Sequence, residues 1–551
     1  MKIKSLFLIF IINVMTVFGG CSSSQNESLY IRVNQVGFLL TDIKTAIIFT
    51  NSELKQNNFN LINVKTKKEI FKGEIKDYKG VWGNFKNHFA IDFSEFITTG
   101  EYQIEVDGVK SFPFTISKDV YNGIVDSLLL YLKVQRCGPT VPYLHEVCHL
   151  YDSPRVENDK DAGVVDVTGG WHDAGDYIKF FSTTAYTTYL LLFSYEFDPV
   201  KFQTDNDKSG APDILEEARV GIDWLLRANY AEGKFINQVQ DMRDHEQGFR
   251  MPENDPLKFD RPAFSGIGKN QIGMFAAVMS LAAKIWKERF SDDYYYIKCL
   301  TAAENIYKYR NDVPNVDSVP SGMYQDSRFW GKLALGAIEL YNVTKNRSYL
   351  TDAVTYADSA RSDYWWSWGD INSLAHYKLA KVYPRFRNYI LNNLVSFNNV
   401  KANSIFGEGA VFTWGTTNTL LGVALQTILY KKLFKTSEYD SLLIFQRDYI
   451  LGKNPWGTTF ISNIGSVYPK NFHSQISYLN GGYLPGAVSA GPTPEEILKN
   501  YNIQRKDTRF NKFNSDSVKF YDDVSDYVTN EPTIGSNATA IFVFSFFQSV
   551  K

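Results

Sequence analysis

Cysteine is scarce in this chain, which has four in 551 residues, too few for a large fold built on disulfides. Neither sign of charge dominates, because 58 Lys and Arg residues stand against 60 Asp and Glu residues, and we therefore expect no nucleic-acid partner. The apolar run at residues 6–18 falls short of the roughly 20 residues that span a bilayer. Aromatic residues, in contrast, make up 15%, enough for a large core and for surfaces that stack flat apolar ligand faces.

The first residues predict export. A basic start and the apolar run end in Gly19-Gly20, directly before Cys21, as in bacterial lipoprotein signals. We expect a signal peptide over residues 1–20, lipidation of Cys21 and a polar tether over residues 21–28. Ordinary secretory cleavage after Gly20 is the alternative. Lipidation would anchor the mature chain in the outer membrane with its body facing the cell surface, and the periplasm is the alternative location.

Two periodicities divide the rest of the chain. Residues 29–117 alternate with period two in short β-rich runs, and Asp107-Gly108 is a strong hairpin signal, so we predict a small all-β sandwich. Residues 118–551 carry apolar stripes of period 3.6. Twelve helices are predicted there, over residues 120–135, 183–197, 214–227, 270–289, 292–309, 327–344, 347–360, 371–383, 386–397, 418–434, 439–451 and 537–548. Twelve helices would fit six hairpins closed into an (α/α)6 barrel.

Three long stretches, residues 138–179, 237–269 and 452–536, lack a helical pattern, and stretches of this length are usually functional. The first contains two carboxylates in a Gly-rich turn, Gly169-Gly-Trp-His-Asp-Ala-Gly-Asp176. Glycine allows sharp bends and close approach to a ligand. Asp173 and Asp176 on one rigid loop can hold a water molecule between them and take its proton. Asx turns or a Ca²⁺ loop are the alternatives.

A third carboxylate lies far away in the sequence. Glu531 precedes Pro532, which biases it toward an extended backbone at a chain bend. Its apolar neighbours Tyr527 and Ile534 can partly desolvate it, and desolvation raises a carboxyl pKa as a general acid requires. A solvated Glu in front of a helix is the alternative. Together, the two segments supply the base and the separate acid that glycoside hydrolysis needs.

Three motifs, in order, resemble those of glycoside hydrolase family 9, whose members are mostly endoglucanases. The Gly169–Asp176 segment is similar to the catalytic-base motif of that family. Tyr449-Ile-Leu-Gly-Lys-Asn-Pro-Trp-Gly457 and Tyr527-Val-Thr-Asn-Glu531 are similar to its two C-terminal signatures. The resemblance implies an immunoglobulin-like β-sandwich over residues 29–117, followed by an (α/α)6-barrel catalytic domain over residues 118–551.

The same resemblance implies an inverting mechanism and a role for each site residue. Asp176 matches the general base, Asp173 its helper and Glu531 the general acid, with the acid and base roughly 6.5–9.5 Å apart to admit water. Four further residues are implied to bind sugar: His473, Trp368, Trp414 and Tyr527. The partner is therefore a β-glucan polysaccharide or oligosaccharide, and no organic cofactor is expected.

Three positions depart from the family pattern. Ser474 and Gln475 stand where the family usually has His and Arg, so one cationic sugar contact is missing. Ser536 stands where the family usually has Tyr or Trp, which would leave space for a decorated chain. The departures favour a branched or mixed-linkage β-glucan, xyloglucan among them, cleaved by an endo-acting enzyme.

A second group of residues suggests a structural metal. Two thiolates and two imidazoles make a tetrahedral Zn²⁺ site, and the candidates are Cys137, Cys148, His149 and His172, with His145 as a substitute for His172. Some members of the resembled family carry zinc at matching positions. A Cys137–Cys148 disulfide and two inert buried thiols are the alternatives. The family also implies structural Ca²⁺, for which no ligands are assigned.

Two other functions stay open at this stage. One is an exo-acting glycosidase on the same fold, and the other is a surface glycan-binding protein with weak chemistry. Retention of Asp173, Asp176 and Glu531 argues against the second, because binding alone needs no acid and base. We expect a monomer.

Overall fold

The computed structural model describes residues 29–78, 80–152, 154–318 and 324–550. The predicted signal peptide, the predicted lipidation site Cys21 and the predicted tether lie outside the described residues. None of the helices in the described residues combines the length and the apolar character needed to cross a bilayer.

Nine strands form the N-terminal β-sandwich in the part of the chain that the structure describes. Strand β5 belongs to both sheets, because its first half pairs with β4 and its last four residues pair with β6. Asp107 and Gly108 both have positive φ and join β7 to β8, as the hairpin signal predicts. The strands are β1 Leu29–Arg32, β2 Gly37–Phe38, β3 Thr45–Thr50, β4 Asn58–Asn63, β5 Glu69–Tyr78, β6 Asn87–Asp92, β7 Gly100–Val106, β8 Val109–Lys110 and β9 Phe114–Ile116.

The rest of the chain is mainly helical. Within the described residues, twelve helices have nine residues or more, and each coincides with a predicted helix, with ends that differ by a few residues. They are α1 Ile124–Gln135, α2 Phe181–Phe197, α3 Asp213–Ala228, α5 Lys269–Phe290, α6 Asp293–Tyr307, α7 Trp330–Thr344, α8 Arg347–Ala360, α9 Asn372–Ala380, α10 Arg387–Ala402, α11 Thr416–Phe434, α12 Asp440–Ile450 and α15 Ile534–Phe547. Three short helices are α4 Arg243–Glu246, α13 Gln475–Leu479 and α14 Glu495–Leu498.

The long helices form two concentric rings. Contacts join α2 to α5, α5 to α7, α7 to α9, α9 to α11, α11 to α15 and α15 back to α2, which closes an inner ring of six. The other six, α1, α3, α6, α8, α10 and α12, each pack against an inner helix from outside. Inner helices are buried on nearly every side, which explains why their sequences are apolar on more than one face. The predicted β-sandwich followed by an (α/α)6 barrel is confirmed.

The three long segments between helices contain the remaining elements. The strands are β10 Lys179–Phe180, β11 Phe235–Val239, β12 Ala263–Gly266, β13 Thr493–Pro494 and β14 Val518–Lys519. Strands β10, β11 and β12 form one small sheet, which joins the segment of residues 138–179 to the segment of residues 237–269.

The sandwich is bonded to the barrel through buried polar groups. Asn34 Nδ2 donates to Asp448 Oδ1 at 2.8 Å, and Gln35 Nε2 donates to the Gly457 carbonyl at 2.7 Å. Arg447 Nη1 donates to Asp42 Oδ2 at 2.8 Å. The 449–457 motif therefore lies at the domain interface, where it fixes the start of the segment that leads to the C-terminal carboxylate.

Candidate active site

Close backbone contact at Gly175 joins the Gly-rich loop to the segment of Glu531. A Cβ at Gly175 would lie 2.0 Å from the His473 carbonyl oxygen and 3.1 Å from Glu531 Oε1, so glycine is needed there. The Gly175 amide donates to Glu531 Oε1 at 3.1 Å, and the Gly175 carbonyl accepts from the Gln475 amide at 3.1 Å. A third bond runs from the Ile534 amide to the Asp173 carbonyl at 3.0 Å. The structure thus brings the two acidic segments together.

Asp176 is nearly buried and accepts two hydrogen bonds. Its Oδ1 accepts from the Ile178 amide at 2.9 Å, and its Oδ2 lies 3.0 Å from His245 Nε2. Hydrogen bonding to Asp176 and its negative charge raise the pKa of His245 to about 9, so this imidazole is protonated at neutral pH. The sequence analysis missed His245. It lies on α4 inside the segment 237–269, and that location was its one signal.

Asp173 is more enclosed than Asp176. Both of its carboxylate oxygens are buried, and hydrogen bonding from Thr183 and Tyr324 opposes the effect of that burial on its pKa. Burial raises its pKa to about 6, and the nearby charge of Asp176 acts in the same direction. A carboxylate has about four acceptor sites, so Asp173 can accept a further hydrogen bond from a ligand or from water.

Glu531 is held so that it keeps its proton. Desolvation raises its pKa well above the usual value, and the negative charges of Asp176 and Asp173 add to the shift, whereas the Gly175 amide and His245 oppose it. Three carboxylates at one site thus differ in their surroundings, and burial favours the neutral form of one of them, Glu531. This separation is what acid–base hydrolysis requires.

Aromatic rings line the site. The His473 ring lies 5.6 Å from Tyr527, and Tyr527 lies 6.1 Å from the half-exposed Trp414. His473 Nδ1 contacts the Val524 carbonyl at 2.8 Å, and burial lowers the pKa of His473, so the neutral ring donates from Nδ1 and leaves Nε2 as an acceptor. The last predicted sugar-binding residue, Trp368, packs against Tyr324 with the ring centroids 5.7 Å apart, and Tyr324 interacts with Asp173.

All three departures from the family pattern bond within the chain. Ser474 caps α13 by accepting from the Ser477 amide, and Gln475 Oε1 accepts from the Arg250 amide at 3.1 Å. Ser536 is buried in the first turn of α15, whose N-cap is Thr533.

The four predicted metal ligands form one buried cluster. The ligand atoms of Cys137, Cys148, His149 and His172 all lie within 4.8 Å of one another, and among the described residues this is the one such group. Both cysteines are free thiols, so the alternative disulfide is absent. His149 Nε2 lies 3.0 Å from Asp255 Oδ2, a carboxylate that orients the ring. The cluster can hold a metal.

His145 is not part of this cluster, because both of its ring nitrogens contact backbone carbonyls, those of Glu146 and Val134. The expected calcium stays without assigned ligands.

The barrel and its three carboxylates define a hydrolase that works by acid–base chemistry. The chain belongs to glycosyl hydrolase family 9, because the model of that family matches residues 121–544. A model described as the cellulase N-terminal ig-like domain matches residues 26–111.

Individual proteins resemble the chain over nearly its whole length. A cellodextrinase of Butyrivibrio fibrisolvens is 26% identical, covering 93% of this chain and 98% of the relative. A xyloglucan-specific endo-beta-1,4-glucanase of Bacteroides ovatus is 24% identical, covering 94% and 93%. Among solved structures, a metagenome-derived family 9 endoglucanase has a TM-score of 0.81 at 24% identity, covering 95% of this chain and 99% of that one. A Zn-binding triple mutant of the family 9 endoglucanase J30 has a TM-score of 0.80 at 22% identity, covering 93% and 100%.

Proposed function

We propose that this chain hydrolyses β-1,4-glucan backbones with inversion at the anomeric carbon, as an endo-acting enzyme. The observation that carries the proposal is the contact between protonated Glu531 and the loop that presents Asp173 and Asp176. Asp176 takes the proton of a water molecule that Asp173 orients by accepting a hydrogen bond from it. The water oxygen attacks the anomeric carbon while Glu531 gives its proton to the leaving oxygen. His473 accepts a sugar hydroxyl at Nε2.

Loss of the acid and of the base tests this mechanism. Glu531→Gln and Asp176→Asn each lower kcat by about a hundred- to ten-thousandfold, because each removes one proton transfer. The product anomer, followed by NMR during the first turnovers, should be α from a β-linked substrate. A β product would contradict inversion, and full activity of Glu531→Gln would contradict the acid. Early release of mixed oligosaccharides indicates endo action, whereas a single short product indicates exo action.

We propose that the substrate is a branched or mixed-linkage β-glucan such as xyloglucan. Two observations support this: Gln475 is occupied within the chain and supplies no cationic sugar contact, and Ser536 places no ring beside the cleft. One relative is named as xyloglucan-specific. Rates on xyloglucan, mixed-linkage glucan and carboxymethylcellulose test the proposal, and a clear preference for carboxymethylcellulose would contradict it.

We propose that Zn²⁺ occupies the cluster of Cys137, Cys148, His149 and His172. Two thiolates and two imidazoles fit a tetrahedral ion and leave no open position, so the metal's chemistry there is to cross-link the chain. The ligand loop bonds to the catalytic loop, because the Cys137 amide donates to the Gly170 carbonyl at 2.9 Å. Metal analysis should give one zinc per chain, absent in Cys137→Ser and retained in Cys299→Ala, whose sulfur lies elsewhere. Equal zinc content in the two variants would contradict the site.

We propose that the protein is exported and anchored through lipid on Cys21, as a monomer on the outer membrane. The sequence before Cys21 supports the proposal. Cys21→Ser should release the protein into a soluble fraction and abolish incorporation of labelled fatty acid. Membrane retention of this variant would contradict the anchor.

A further inference from the structure

An aromatic pair that the proposed mechanism does not use lies beside His473. The Phe249 ring lies 5.4 Å from Tyr478 and 5.8 Å from His473. Phe249 is 40% exposed and Tyr478 57% exposed, although both are large and apolar. Exposed rings beside a polar cleft are typical of a surface that binds a ligand with an apolar face.

Hydrogen bonds connect the backbone segments that carry Phe249 and Tyr478. Gln475 Oε1 accepts from the Arg250 amide at 3.1 Å, which joins the backbone next to Phe249 to the first turn of α13, where Tyr478 lies. The Arg250 side chain is in turn fixed by Asp244 Oδ1 at 2.6 Å and Asp255 Oδ1 at 3.0 Å. Gln475 thus connects the segments of Phe249 and Tyr478, and it stands at a position where the family usually has an arginine.

Phe249 is the first of a row of aromatic rings that includes His473, Tyr527 and Trp414. His473 contacts Phe249 on the one hand and Tyr527 on the other, and Tyr527 leads to Trp414. His245, four residues before Phe249, contacts Asp176 Oδ2 at 3.0 Å. Phe249 is thus linked through His473 to the other rings, and the segment that carries it also supplies the histidine that contacts Asp176.

We propose that Phe249 and Tyr478 form a subsite for one uncharged sugar ring of the glucan chain, in addition to the sugar contacts at His473, Tyr527 and Trp414. The inference rests on the proposed β-glucan hydrolysis. The apolar C–H face of a β-linked glucose stacks on such rings, and the nearby arginine is already committed to two carboxylates, so the subsite holds a neutral ring by stacking. Stacking replaces the cationic contact that this chain lacks.

Oligosaccharides of increasing length test the subsite. Phe249→Ala and Tyr478→Ala should each raise KM roughly three- to tenfold on chains long enough to reach the pair, with a smaller change in kcat. The positions of bond cleavage should shift on the same chains. Phe249→Trp should keep the KM close to that of the parent, because it retains a ring that can stack. Phe259→Ala is the matched control, because Phe259 is 70% exposed and packs on Tyr151 outside this line, and its KM should equal that of the parent.

The outcomes separate this inference from the proposed function. If the parent cleaves β-glucan and Phe249→Ala, with an unchanged melting temperature, keeps the parent KM and cleavage pattern on every chain length, the subsite does not exist. An equal rise of KM in Phe259→Ala would also overturn it. A parent without activity on any β-glucan would remove the proposed function, and the subsite with it.

Discussion

His245 couples Asp176, the proposed base, to Glu531, the proposed acid, electrostatically. Its Nε2 contacts Asp176, and its positive charge lowers the pKa of Glu531, while Asp176 raises it. The pKa of His245 is raised from 6.5 to about 9 in the fold, so its ion pair stabilises the protein fully below pH 6.5. That stabilisation is lost as the pH rises through about 9.

Replacing His245 should change the pH profile as well as the rate. His245→Gln removes a positive charge near Glu531, so the alkaline limb of kcat/KM should move to higher pH, and kcat/KM at neutral pH should fall roughly tenfold because Asp176 loses its partner. The measurement is kcat/KM as a function of pH.

Arg243→Gln is the matched control for this profile. Arg243 lies on the same short helix but pairs with Asp241 and Asp260. An identical shift of the limb in both variants would show that general surface charge, and not the contact to Asp176, sets the profile.

Single-residue chemistry was predictable where a motif carried it. Asp173, Asp176, Glu531 and the four metal ligands were all named from local sequence. His245 was not, because its role comes from a contact between segments 69 residues apart. The structural use of Gln475 was equally hidden, because it depends on Arg250 reaching α13.

At the scale of elements, the position of the Gly-rich loop depends on the close approach of Gly175 to Glu531. Gly175→Ala puts a methyl group 2.0 Å from a backbone oxygen, which cannot yield, so the loop must move. We expect kcat to fall roughly a hundredfold and the free energy of unfolding to drop by about 1–3 kcal/mol. Steady-state kinetics and denaturant unfolding measure the two effects.

Gly163→Ala serves as the comparison, because nothing lies within 4 Å of its added Cβ. Its positive φ gives it a modest backbone cost, and its kcat should match that of the parent. A parental kcat for Gly175→Ala would show that the loop position is not set by this contact.

The helices were predictable because each carries its own apolar period, and burial in two rings preserves that period. The strands of the long segments were not. Strands β10, β11 and β12 are short, and their pairing joins residues far apart in sequence, so no local alternation marks them. Strand β5 gives a weak sequence signal for another reason, since none of its side chains is fully buried.

At the scale of the molecule, Arg447 holds the two domains together. Its guanidinium is fully buried and pairs with Asp448 within the barrel and with Asp42 of the sandwich. Removing it leaves two carboxylates without their cation in a closed interface. Arg447→Met should therefore lower the free energy of unfolding by about 3–5 kcal/mol.

The exposed pair of Arg385 and Asp358 provides the control. Arg385→Met should cost about 0–1 kcal/mol, because water already screens that pair. Denaturant unfolding of both variants gives the comparison, and a loss as small for Arg447→Met as for Arg385→Met would contradict the proposed interface role.

In the proposed mechanism, the hydrogen bond from the Gly175 amide to Glu531 changes in strength during each round of catalysis. While Glu531 is protonated, the amide donates to a neutral carboxyl group. Once the proton has left, the same amide faces an anion, and a charge-assisted hydrogen bond is roughly twice as strong. In the proposed mechanism, the hydrogen bond between this loop and Glu531 is therefore strongest after Glu531 has given up its proton, and it weakens again when the carboxylate is reprotonated.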